Sequence, residues 1–165
     1  MKGYIFLYDE VALFEVILVS YFMKTQGEVI IVSEQEGKVY TQEGITVISD
    51  CELRKMETSD VDVFIIPGGN ICNIKNKKAL YDVILQLDGQ KKVIAGICAG
   101  REIIKDALNI KIEEDLTEII EKRIVMSPGN EYVDFAITVG KVANIFKDKD
   151  DLNETIEYFR NFKAL

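Results

Sequence analysis

The chain alternates short, unbroken apolar runs with stretches in which apolar residues recur every three or four positions. Tyr4 to Tyr8, Glu28 to Ser33, Val63 to Ile66, Val93 to Ile97 and Arg123 to Met126 are runs of the first kind. Runs of this length predict strands buried on both faces. Leu13 to Met23 has helical spacing through Leu13, Val16, Ile17 and Val19. Asn76 is placed to cap a helix whose apolar face is Leu80, Val83, Ile84 and Leu87. Further helices are predicted over Ala99 to Leu108, Tyr132 to Ile145, and from a cap at Asp150 or Asp151 to Phe162. Glu113 to Glu121, mixed in charge, predicts one more short helix. Gly37 and Gly44 punctuate a hairpin of Lys38 to Thr41 and Ile45 to Ile48, and Cys51 falls in the loop after it. Strands alternating with helices predict an α/β fold, one domain over residues 1–165, with a mostly parallel sheet covered on both faces.

Ligands of such sheets bind beyond the carboxyl ends of the strands. Three unusual sequences fall there: Pro67-Gly68-Gly69-Asn70, Gly96-Ile97-Cys98-Ala99-Gly100 and Ser127-Pro128-Gly129. The second has the spacing of a nucleophile elbow with cysteine in the serine position. Its glycines are expected to let the backbone turn sharply and to keep the flanks clear, so that one side chain is held exposed at the strand tip. Cys98 would also sit at a helix N-terminus, whose partial positive charge favours thiolate and lowers the thiol pKa. The bland alternative is a small apolar residue at a tight strand–helix junction.

Composition narrows the chemistry. The chain of 165 residues is 48% hydrophobic and 29% charged, ordinary for a globular protein. A net charge of −8 argues against nucleic acid as a partner, since phosphate binding needs clustered Lys and Arg. No apolar run is long enough to span a bilayer and no signal peptide is evident, so a cytoplasmic protein without membrane contact is expected. Three cysteines, without a CxxC or Cys/His cluster, fit a reducing compartment and give no support to a metal site. No cofactor is expected. The chain has no histidine, so no Ser-His or Cys-His mechanism can be assembled within it.

Ile66-Pro67-Gly68-Gly69-Asn70, Ala95-Gly96-Ile97-Cys98-Ala99-Gly100 and Ser127-Pro128-Gly129-Asn130-Glu131-Tyr132-Val133-Asp134-Phe135-Ala136 together resemble the ThiJ/PfpI superfamily. The order and spacing of the three cover nearly the whole chain. The resemblance implies a flavodoxin-like three-layer sandwich, of the kind shared with class I glutamine amidotransferases, and a homodimer. It also implies an acidic residue on the first helix that hydrogen-bonds the elbow cysteine. Glu15, in Phe14-Glu15-Val16, lies in the matching place. A carboxyl group among apolar neighbours has its pKa raised, so Glu15 would stay protonated and donate to a Cys98 thiolate. The resemblance further implies an oxyanion site made by the backbone N–H groups of Gly69 and Ala99.

Two departures from that pattern matter. Relatives place a histidine after the elbow cysteine or on a later loop, where this chain has Ala99 and none. The stretch from Leu108 to Arg123 is also short for a pocket rim. Both disfavour a classical protease or amidotransferase.

The expected function is therefore a cysteine-dependent hydrolase- or lyase-like activity on small reactive carbonyls, glyoxalase- or deglycase-like, through a Cys98–Glu15 pair. One alternative is a redox-sensing stress-response protein in which peroxide oxidises Cys98. The other is a non-catalytic dimeric binding domain. Gly68, Asn70, Cys72 and Arg101 are further candidate pocket residues. Cys72 reads either as a resolving thiol or as a half-buried loop cysteine. Arg101 reads as a substrate anchor or as the partner of Glu102 or Glu131. Asn130 and Tyr132 either line the pocket or cap and pack the next helix.

Overall fold

Seven strands form one sheet in the order β5-β2-β1-β6-β7-β9-β8, seen in a computed structural model that describes residues 1–113 and 115–163. They are β1 Lys2–Phe6, β2 Glu28–Ser33, β5 Cys51–Glu52, β6 Val63–Ile66, β7 Val93–Ile97, β8 Glu118–Ile120 and β9 Ile124–Ser127; β3 Lys38–Tyr40 and β4 Thr46–Ile48 pair separately as an antiparallel hairpin. All neighbours in the large sheet run parallel except β8, which runs antiparallel to β9. The helices are α1 Phe14–Lys24, α2 Lys78–Gly89, α3 Ala99–Leu108, α4 Tyr132–Val142 and α5 Lys149–Thr155. α1 packs on α4, and α2 on α3, giving two helical layers around the sheet. Among the described residues no helix is long and apolar enough to cross a membrane.

The apolar runs explain the layers. Val63, Phe64, Ile65 and Ile66 of β6 are all essentially inaccessible, as are Ile94 and Ala95 of β7 and Val125 and Met126 of β9. Strands with no polar face must be covered on both sides. Burying each large apolar side chain contributes roughly 1.5–3 kcal/mol. Phe6, Phe64 and Phe135 are the bulkiest of the fully buried side chains.

Several boundaries differ from the sequence reading. Residues 115–121 form no helix; Glu118–Ile120 pairs with β9, Ile119 opposite Val125. The turn between them carries Glu121 and Lys122 at φ 50 and 60. Such a turn normally announces itself with Gly or Asn, and here neither is present. Glu114 lies outside the described residues. Asn76 does not cap α2; it takes φ 64 and the capping position falls to Lys77. The last helix is capped by Asp148, which accepts from the N–H groups of Asp150 and Asp151 at 2.9 Å each. It passes into a π-helical turn and ends at Arg160, short of Phe162. Cys51 lies in β5, half-buried, instead of in a loop.

Candidate active site

The carboxyl ends of β1, β6, β7 and β9 point to one rim of the sheet, and the register brings their tips together. Ile66 pairs with Gly96, and Ile97 with Ser127. Each strand then delivers one part of the site: Cys98 after β7, Gly68-Gly69 after β6, Pro128-Gly129 after β9, and Glu15 on the first turn of α1 after β1.

The sharp turn at the elbow is made by Cys98 itself, at φ 54 and ψ −120. That region is costly for a residue with a side chain, on the order of 1–3 kcal/mol. The flanking glycines do not make the turn, but they do keep its flanks clear. A Cβ on Gly96 would lie 2.6 Å from Ile104 Cδ1, and one on Gly100 would strike the Ile66 carbonyl. They let α3 sit hard against the strand ends. The Cys98 N–H donates to the Ser127 carbonyl at 2.9 Å, so the strained residue is tied to β9.

Glu15 is 3% exposed, and its Oε2 accepts from the Gly68 N–H at 2.6 Å. A Cβ on Gly68 would lie 2.5 Å from both Glu15 Oε2 and Cys98 Cβ, and 2.8 Å from Cys98 Sγ. A Cβ on Gly129 would lie 2.9 Å from Glu15 Oε1 and 3.3 Å from Cys98 Sγ. The carboxyl and the thiol thus lie side by side between two glycines, and the thiol hydrogen-bonds the carboxyl. Burial pushes the Glu15 carboxyl above its usual range, against the pull of the Gly68 N–H and the Cys98 thiol.

The direction for Cys98 corrects the expectation from its helix position. Burial, then the Glu15 charge, push the thiol up; the Ala99 and Gly69 N–H groups pull it down but do not win. A half-buried sulfur beside a carboxylate is poorly placed to hold a second negative charge.

Gly69 takes φ 124, a conformation open to glycine, and a Cβ there would collide with the backbone of Glu10. Asn70 is occupied structurally. Its side chain accepts from the Cys72 N–H at 3.1 Å and donates to Glu10 Oε2 at 2.8 Å. Cys72 is exposed and lines a separate cavity of about 530 Å³ with Tyr8, Glu34, Asn73 and Lys77. Arg101 pairs with Glu102 at 3.5 Å. Asn130 makes no cap; Glu131 stands at the start of α4 and accepts from Thr117. Tyr132 meets Phe14 edge-on at 5.6 Å, joining the first turns of α1 and α4.

Two residues of the site escaped the sequence reading. Gly129 was seen as part of a strand-end motif but not as a wall of the Cys98–Glu15 pair. Tyr8 was read as the end of a strand. It lies beyond β1, buried, and its hydroxyl donates to the Gly68 carbonyl at 2.7 Å.

The profile of the DJ-1/PfpI family matches residues 1–150. The chain belongs to the DJ-1/PfpI family. A curated relative, Deglycase TK1284 of Thermococcus kodakarensis, is 28% identical over 120 residues, covering 71% of this chain and 72% of the relative. Among solved structures, the DJ-1 superfamily protein Atu0886 from Agrobacterium tumefaciens superposes with a TM-score of 0.81 at 16% identity, over 99% of this chain and 100% of that one. Oxidized Toxoplasma gondii DJ-1 superposes with a TM-score of 0.76 at 18% identity, over 99% of each chain. The DJ-1/PfpI sandwich is therefore the fold of this protein.

Proposed function

We propose that this DJ-1/PfpI protein converts small reactive carbonyl compounds, such as 2-oxoaldehydes, by covalent chemistry at Cys98. The observation that carries the reading is the contact of the Cys98 thiol with the buried Glu15 carboxyl, with the Gly69 and Ala99 N–H groups on the same sulfur. A carboxylate of raised basicity beside a thiol of raised pKa suits proton transfer in step with attack. As Sγ bonds to the carbonyl carbon, the thiol proton passes to Glu15. The carbonyl π pair moves to oxygen, and the Gly69 and Ala99 N–H groups hold that oxyanion. Glu15 then returns the proton to the oxygen, leaving a hemithioacetal. No histidine is needed for this addition. The deglycase relative supports this substrate class.

The redox-sensing alternative drew on a depressed thiol pKa, and the raised direction at Cys98 weakens it. A homodimer is supported by an exposed apolar face on α1, where Phe14, Ile17 and Tyr21 are each at least half exposed. Cytoplasmic residence and the single domain over residues 1–165 belong to the same reading.

The test is methylglyoxal consumption with lactate formation by wild type and Cys98→Ala. Turnover that falls to the buffer rate in the variant supports the reading; equal turnover in both ends it.

A further inference from the structure

The Gly68-Gly69 peptide has no side chain of its own to hold its plane, yet the site depends on that plane. Across a planar trans peptide, the C=O of one residue and the N–H of the next point in opposite directions. Fixing the Gly68 oxygen therefore fixes where the Gly69 N–H points. Two donors hold that oxygen: the Tyr8 hydroxyl at 2.7 Å and the Ala12 N–H at 3.0 Å. The Gly69 N–H, on the other side, bears on the Cys98 sulfur, which lies close enough to meet a Cβ on Gly68 at 2.8 Å.

We infer that Tyr8 is a positioning residue of the Cys98 site: its hydroxyl, through the Gly68 carbonyl, keeps the Gly69 N–H on the sulfur side. The Ala12 N–H and an antiparallel bridge of Val11 to Gly69 brace the same peptide from the backbone side, and Tyr8 adds the side-chain restraint. Gly69 at φ 124 lies where glycine moves freely, so the residue itself does little to fix the plane of the peptide between the two glycines. Rotation would turn a carbonyl oxygen toward the sulfur and leave the buried phenol only its longer contact, 3.4 Å, with the Pro67 carbonyl. Tyr8 is 7% exposed and its ring stacks on Phe6 at 6.0 Å, so the hydroxyl cannot follow the moving oxygen. The phenol also remains a donor throughout. Burial, then Glu15 and Cys98, raise its pKa well above the usual 10.0. The titratable groups bearing on the sulfur are Glu15 from α1 and Tyr8 from the end of β1.

The inference rests on the carbonyl-chemistry reading for its effect on turnover, but not for its effect on the thiol. The test compares wild type with Tyr8→Phe, which keeps the ring and removes the hydroxyl. With iodoacetamide as probe, the Cys98 labelling profile is expected to move about half to one pH unit upward, because the thiolate loses a well-aimed amide. With methylglyoxal, kcat is expected to fall roughly three- to tenfold while KM stays within about twofold. In ¹⁵N-labelled wild type, the Gly69 amide proton is expected to shift with the ionisation of Cys98, and to shift much less in Tyr8→Phe.

A lower Tm with an unmoved labelling profile would make Tyr8 merely structural and overturn the inference. A Gly69 amide in wild type that ignores Cys98 ionisation would overturn it without any variant. If wild type turns over no carbonyl, the functional reading falls, and the labelling and amide measurements still decide the role of Tyr8. Tyr8→Met is the second variant should Tyr8→Phe not fold, with the same expected shift.

Discussion

The Gly68 N–H donates to Glu15 Oε2 at 2.6 Å, while Oε1 lies on the Gly129 side. Because burial raises this carboxyl above its usual 4.5, the folded chain binds the proton more tightly than the unfolded chain. Its stabilising contribution is complete below pH 4.5 and is lost as pH rises through the folded value. Glu15→Gln keeps an acceptor for Gly68 and removes the charge. Thermal melts are expected to show the variant a few degrees more stable than wild type at pH 8. That advantage should vanish as the pH falls below the carboxyl's usual range.

The same substitution reports on Cys98. After burial, the Glu15 charge is what most raises the thiol. Labelling of Cys98 in Glu15→Gln should therefore begin at lower pH than in wild type, while carbonyl turnover falls because the proton acceptor is gone. A profile displaced to higher pH would mean that Glu15 donates to a thiolate instead.

Gly68 and Gly129 differ in how much room they leave. An added methyl at Gly68 meets Glu15 Oε2 and Cys98 Cβ at 2.5 Å, while one at Gly129 meets nothing nearer than 2.9 Å. Gly68→Ala is expected to cost about 1–3 kcal/mol and to abolish turnover. Gly129→Ala should cost less and retain part of the activity. Denaturant melts with matched kinetics check the ordering.

The elbow conformation makes an unusual demand on stability. Cys98 stands at φ 54, a value that glycine adopts freely and alanine does not. Cys98→Gly should be more stable than Cys98→Ala by about 1 kcal/mol, read from denaturant midpoints, although both lack the thiol.

Thr117 ties the segment before β8 to the rim of the site. Its hydroxyl lies 2.6 Å from Ser127 Oγ and 2.6 Å from Glu131 Oε2. Thr117→Val keeps the shape and removes both contacts, at an expected cost of about 1–2 kcal/mol. Hydrogen exchange should accelerate in the turn at residues 128–131, which carries Gly129.

The sheet and the thiol were legible in the sequence for local reasons. Val63 to Ile66 and Val93 to Ile97 are apolar without interruption, and a run of that kind has few places to go but a doubly covered strand. Cys98 was marked by the glycines on either side. Glu15 depended on the family resemblance, since one acid among apolar residues does not name its partner. Tyr8 could not be read at all. Its acceptor is a backbone carbonyl 60 residues away, and a carbonyl leaves no trace in a sequence. The strand β8 was hidden by its turn, where Glu121 and Lys122 occupy a backbone region that their residue types do not advertise. The direction of the Cys98 pKa was missed because the helix end is a local signal. Desolvation and a carboxylate 83 positions earlier in the chain (Glu15 to Cys98, 98 − 15) are not.

The two outermost strands of the sheet are its shortest, two residues in β5 and three in β8. An apolar sheet with long bare margins would be a template for strands of other molecules, and growth there leads to aggregates. Here each margin offers only a few unpaired backbone groups, and β8 presents them on a strand running against its neighbours. The chain can therefore keep an interior of wholly apolar strands, on which the rim carrying Cys98 stands, without inviting another copy to extend it.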